Sequence, residues 1–180
     1  MKYATLLSGL CLAMFNFSAH AEGDANKVLP DIKKLASDPV VVSAVKAQNT
    51  KNLSMEAIKA LDDKWIAAQG KVPEAGELMG NTAAKMLKAA ETAKPYFKEC
   101  ILTDNKGANV AISELTSDYW QGDEPKFSNA FADGKGSDYV ARPKKDASTG
   151  QVIAQVSVPV MDGGKAIGTL TVGVDLNTMP

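Results

Sequence analysis

The sequence is short of the residues that usually do chemistry. Its 180 residues include one His, two Cys and a single Arg, Arg142, and aromatic side chains make up only 6%. It also lacks long apolar runs. "LLSGLCLAMF" is one stretch of about ten residues, half of the roughly 20 that a membrane-spanning helix needs. That run follows Lys2 and precedes "SAHA", where Ala19-His20-Ala21 fits the small-residue cleavage pattern of a signal peptide. The expectation is cleavage after Ala21, with 1–21 removed and the chain exported to the periplasm. Leu10 before Cys11 argues against a lipid-modified cysteine.

Cleavage takes His20 and Cys11 with it. The remaining chain has no His, which excludes Ser-His-Asp and Cys-His catalysis and nearly excludes zinc. Cys100 is then alone, so no internal disulfide can form, and its place in the apolar "CIL" marks it as a small core residue. Loss of Lys2 moves the formal net charge from −1 to −2, which gives no attraction for nucleic acid. None of the phosphate-binding glycine motifs or the G-x-S-x-G nucleophile motif is present. No enzyme activity, metal or cofactor is expected, and the chain should not span a membrane after cleavage.

What is present divides into two unlike regions, 22–95 helical and 96–180 strand-rich, which together suit one domain of roughly 160 residues. Val28, Leu29, Ile32 and Leu35 recur at helical spacing. Asp38-Pro39 reads as an N-cap with Pro at the first helical position. Ser54 caps the next helix, with Leu53 and Ile58 as a hydrophobic staple. "QGKVPEAG" reads as a loop, and Leu78, Met79, Thr82, Ala83, Met86, Leu87 and Ala90 then read as one helical stripe, whose Met residues, like Trp65, are expected in the core.

After Lys94 the period changes. "DNKG" is a turn, and in "ANVAIS" Val110 and Ile112 should face one way, Asn109, Ala111 and Ser113 the other. Val152, Ala154, Val156, Val158 and Val160 share one face of a strand, Leu170, Val172, Val174 and Leu176 one face of the next, joined by "DGGK". The fold class is α+β: an antiparallel sheet with helices on one face. The opposite face would carry Gln155, Ser157, Thr169, Thr171 and Asp175. Either it meets water or it floors a pocket closed by the long segment from Thr116 to Pro143, and about 28 residues is long for a plain connection.

That segment opens with "TSDYWQGDEPKF". Asp118, Asp123 and Glu124 are the densest carboxylates in the chain. Asp123 reads better as the cap of a helix "PKFSNAF" ending at Gly134 than as part of an acid–base pair. Tyr119, Trp120 and Tyr139 lie in the same segment as Arg142, whose planar fork suits carboxylates as Lys does not. Asp175 could accept an ammonium group.

From Glu99 onward the chain resembles the Cache family of extracytoplasmic sensor domains, also described as PAS-like or PDC domains. "ILTDNKGANVAIS", "TSDYWQGDEPKF" and "DASTGQVIAQVSVPVMDGGKAIGTLTVGVDL" carry the resemblance, and "SDPVVVSAVKAQN" and "LSMEAIKALDDKW" resemble the N-terminal helices of single-Cache members. The resemblance implies long N-terminal helices packed on a central antiparallel PAS-like sheet, with a pocket under a long loop. It also implies recognition of a small organic acid, amine or amino acid, signalled through a membrane-bound sensor or signalling protein. Family members are usually flanked by transmembrane helices, whereas here the sequence stops at Pro180, so the expectation is a free-standing periplasmic module. In amino-acid-binding relatives an Asp in the position of Asp175 holds the amino group, while their Arg-x-Trp pair is absent here. The expected ligand contacts are Asp118, Tyr119, Trp120, Tyr139, Arg142, Thr171 and Asp175. Two other readings remain: a structural or interaction module with a self-filled pocket, and a small carboxylate-dependent hydrolase.

Overall fold

The computed structural model describes residues 25–145 and 151–179. The expected signal peptide, with Cys11 and His20, lies outside the described residues. Six α-helices and six strands make up the described chain: α1 Leu29–Ala36, α2 Pro39–Thr50, α3 Met55–Ala67, α4 Pro73–Gly80, α5 Thr82–Ala93 and α6 Pro125–Phe131; β1 Phe97–Thr103, β2 Asn109–Ile112, β3 Tyr139–Val140, β4 Lys144–Lys145, β5 Val152–Asp162 and β6 Lys165–Asp175.

Local chemistry sets the helix starts. The Asp38 carboxylate accepts from the Val40 N–H at 2.8 Å, and the Ser54 hydroxyl accepts from the Ala57 N–H at 3.1 Å. Each satisfies a donor that the first helical turn leaves open. Asn81 does the same for Ala84 at 2.9 Å, and this cap divides what reads in sequence as one stripe into two helices. α4 therefore begins at Pro73, inside the stretch expected to be a loop, because Pro fits the first helical position. Met79 comes out 39% exposed rather than in the core. The expected Asp123 cap is also corrected. Glu124 holds the N-cap position of α6 with no side-chain cap bond, and the helix ends at Ala132 in the left-handed region, two residues before Gly134.

The sheet is antiparallel, in the order β2-β1-β6-β5-β3, with β4 also paired to β5. Its centre is the β5–β6 hairpin, in which Asp162 pairs with Lys165 across Gly163 and Gly164, both at positive φ. One face is apolar as the alternation predicts. Val156, Val158, Leu170, Val172 and Val174 join Cys100 and Leu102 in a core covered by Ile32 of α1, Val41 and Val45 of α2, and Leu87 of α5. Burying each such side chain stabilises the fold by roughly 1.5–3 kcal/mol.

Helices cover both faces, not one. A second apolar cluster sets Ile58 and Trp65 of α3 and Val72 and Ala75 against Ile101, Ile112 and Tyr119. Farther along the same face, α6 packs on β5 and β6. A register shift in the β1–β2 pairing leaves Val110 as an extra residue, so Val110 joins the first core and Ile112 the second. The two were expected on one face; a bulge reverses the alternation at that point.

Candidate functional site

The second face of the sheet is covered over part of its length and open beyond it. Ile101 lies under the α3 cluster, in one cross-strand row with Thr171 and Ser157. In that row and the next, hydroxyls on neighbouring strands pair with each other: Ser157 with Thr171, and Thr103 with Thr169, each at 2.8 Å and buried. Buried hydroxyls need partners, and these pairs supply them within the sheet. Beyond Ile101, on the side away from the Thr103–Thr169 pair, where Glu99, Gly173 and Gln155 stand side by side, lies a cleft with two lobes. The larger, about 860 Å³, is lined by Tyr139, Arg142, Lys144 and Lys145. The smaller, about 280 Å³, is lined by Glu99, Asp118 and Gln121. Glu124, Lys126 and Gln155 line both lobes.

Three features shape this cleft. Lys126 of α6 is buried, with its ammonium nitrogen 3.0 Å from the Glu124 carboxylate. A cation so placed needs a counter-charge, and Glu124 provides it. Gly173 on β6 leaves room for Glu99, since a Cβ there would lie 2.8 Å from the Glu99 Cγ. Gln121 is almost fully buried, and its amide nitrogen donates to the Asp118 carbonyl at 3.1 Å and carboxylate at 2.7 Å.

The residues expected to touch a ligand are distributed unevenly. Asp118, Tyr139 and Arg142 line the cleft, Asp118 in the smaller lobe and the other two in the larger. Tyr119 packs beside Trp65, with ring centroids 6.1 Å apart, inside the second core. Burial pushes its phenol up to about 12, with the Asp104 charge adding to the shift and the bond from Gln48 opposing it. Trp120 donates its indole N–H to the Lys106 carbonyl at 2.8 Å, and the Lys59 ammonium stands 5.1 Å from its ring centre. Thr171 is committed to Ser157. Asp175 is buried, accepts from the Asn177 N–H at 3.0 Å and lies 3.5 Å from Lys98, so it holds the turn after β6.

What ties the "DYW" segment down is Asp62 of α3. One of its carboxylate oxygens accepts both the Tyr119 and Trp120 backbone N–H groups, at 2.8 and 3.0 Å. Trp65 adds a bond to the Thr116 carbonyl at 2.8 Å. Neither Asp62 nor Lys126 stands out in the sequence. Lys126 is one of many Lys, and its only signal is helical: it precedes buried Ala130 by four residues, on the covered side of α6.

No family profile matches the sequence, and no curated protein does. Solved structures do. The chain is similar to the ligand-binding domain of the Pseudomonas aeruginosa amino-acid chemoreceptor PctC in complex with GABA, at 17% identity and a TM-score of 0.52, over 90% of this chain and 58% of that one. The fold is that of the Cache sensor domains. Two further matches are the Campylobacter jejuni chemoreceptor Tlp3 sensory domain with isoleucine bound (16% identity, TM-score 0.40, 93% of this chain and 69% of that one) and the Vibrio cholerae histidine kinase DctB sensor domain (14% identity, TM-score 0.41, 92% and 59%). The chain thus spans a little under three fifths of the PctC domain. Among the described residues no helix is long and apolar enough to cross a membrane.

Proposed function

We propose that this chain is a periplasmic sensor domain whose cleft binds a small metabolite and whose occupancy is read by a membrane-bound partner. The observation that carries the reading is the cleft itself. It is concave and of metabolite size, and charged groups on several elements converge on it: Lys126 from α6, Arg142 after β3, Glu99 from β1 and Asp118 from the loop. The solved structures similar to this chain are sensory or ligand-binding domains, which supports a binding role over a catalytic one. The proposed contacts are Asp118, Tyr139 and Arg142, joined by Lys126 and Gln155. Tyr119, Trp120, Thr171 and Asp175 hold the cleft walls in place.

A thermal-shift screen of carboxylates, amines and amino acids tests this. A ligand present at a hundredfold over its Kd should stabilise the folded state by about 2.7 kcal/mol, and Arg142→Ala with Gln155→Ala should reduce that gain. If no compound raises the melting temperature, and a membrane protein is captured equally well from ligand-free extracts, the chain is an interaction module instead.

A further inference from the structure

Among the described residues three methionines are exposed to almost the same degree: Met55 at 38%, Met79 at 39% and Met161 at 40%. Their neighbourhoods differ. Met55 opens α3, Met79 lies in α4, and neither lines the cleft. Met161, near the end of β5, lines a separate groove of about 530 Å³ with Ala36, Val42, Gly136, Asp138 and Pro159. Its sulfur rests on Gly136, where an added Cβ would lie 2.9 Å from the Sδ. Gly136, Ser137 and Asp138 line this groove, and the next four residues, through Arg142, line the larger lobe of the cleft. One run of chain therefore joins the Met161 contact to Tyr139 and Arg142.

That run is lightly held. β3 pairs with β5 only through Tyr139 with Ser157 and Val140 with Val156, and the Ala141 N–H donates to the Gln155 carbonyl at 2.8 Å. Asp138 adds an ion pair with Lys33 at 2.6 Å, but an exposed pair of this kind contributes little. The backbone donors beside the sulfur are already used. The Gly136 N–H donates to the Phe131 carbonyl at 3.1 Å and the Ser137 N–H to the Ala130 carbonyl at 2.9 Å. Pro159 has no N–H to offer.

We propose that Met161 is a modification site, oxidised to the sulfoxide by a hypohalous acid, and that its oxidation loosens residues 136–142 from β5. The thioether sulfur gives two electrons to the chlorine of hypochlorous acid, which leaves as chloride; the sulfur bonds the oxygen, and a proton is released. A sulfoxide is polar and needs a donor or water. Against Gly136 it finds no free backbone donor, so its oxygen turns out to solvent and the sulfur leaves the contact. This inference goes beyond the sensor reading and does not depend on which ligand the cleft takes.

Treatment of the purified chain with increasing hypochlorous acid, read by peptide mass spectrometry and amide hydrogen exchange, tests it. Met55, Met79 and Met161 should gain oxygen before Met86 and Met179, which pack against the first core. Exchange at the Gly136, Ser137 and Ala141 amides should then quicken roughly tenfold, and a methionine sulfoxide reductase should reverse the change. Met161→Leu keeps volume and apolar character and should abolish the response, whereas Met79→Leu should leave it intact. Oxidation of Met161 only after Met86 overturns the proposal. So does unchanged exchange once Met161 is oxidised, or a full response in Met161→Leu. A ligand screen without hits overturns the sensor reading alone.

Discussion

The two faces of the sheet are buried to similar depth but by different chemistry. On the first, Val156, Val158, Leu170, Val172 and Val174 meet α1, α2 and α5 in a continuous apolar core. On the second, the intervening residues of the same strands are Ser157, Thr169 and Thr171, which are also buried but satisfied by hydroxyl pairs. The first face is held by area and shape. The second is held largely by matched donors and acceptors, with the Asn109 and Gln121 side-chain oxygens left without a partner.

The largest test of this contrast is Leu170→Ala. Leu170 is fully buried at the centre of the first core, and truncation should cost about 2–5 kcal/mol of unfolding free energy, the transfer loss plus the cavity left behind. Urea titration reads it directly. A loss below about 1 kcal/mol, the scale of surface substitutions, would mean that this face is not tightly packed.

On the second face the expected loss is smaller and has a different signature. Thr171→Val keeps shape but removes the partner of a buried Ser157 hydroxyl, which should cost about 1–3 kcal/mol. Ser157→Ala combined with Thr171→Val should recover part of that loss, because no buried polar group is then left alone. A double-mutant cycle in which the two losses simply add would show that the hydroxyl pair contributes nothing.

How much of this was legible in the sequence follows the same division. The two long strands β5 and β6, their facing and the hairpin between them could be read from period-2 alternation, which burial of one apolar face imposes residue by residue. So could the caps at Asp38 and Ser54, which are local. What covers the second face could not, because α3 and α6 reach it through tertiary packing that leaves no short-range pattern. Tyr119 and Trp120 show the consequence. Their aromatic area reads equally well as ligand contact or as core, and long-range contacts, among them the Asp62 carboxylate and the Trp65 indole, fix the loop so that Tyr119 packs inward. Val110 illustrates a second limit, since one extra residue in a strand reverses every later facing. Lys126 illustrates a third: burial of a charge depends on its surroundings, and its spacing to Ala130 is the one local sign of it.

The smallest effect at neutral pH is also the one that compares the faces most evenly. Each apolar cluster contains one fully packed group that ionises above neutral pH, Cys100 in the first and Tyr119 in the second. Burial pushes the Cys100 thiol from 9.0 up to about 12, helped by the charges of Glu91 and Glu99 and opposed by the Ser113 bond. Tyr119 moves from 10.0 to about 12. Both groups are neutral near pH 7 whether the chain is folded or not, so their contribution to stability is fully present there. As pH rises above 9.0 the unfolded thiol, and then the unfolded phenol, releases a proton that the folded state still holds. The unfolded state is thereby favoured, and stability falls up to about 12. Cys100→Ala should remove the earlier part of that fall and Tyr119→Phe the later part, each with little change at pH 7. Unfolding curves collected across this range decide the matter. If Cys100→Ala runs parallel to the wild type throughout, the thiol ionises equally easily in both states, and the first face admits more water than its packing implies.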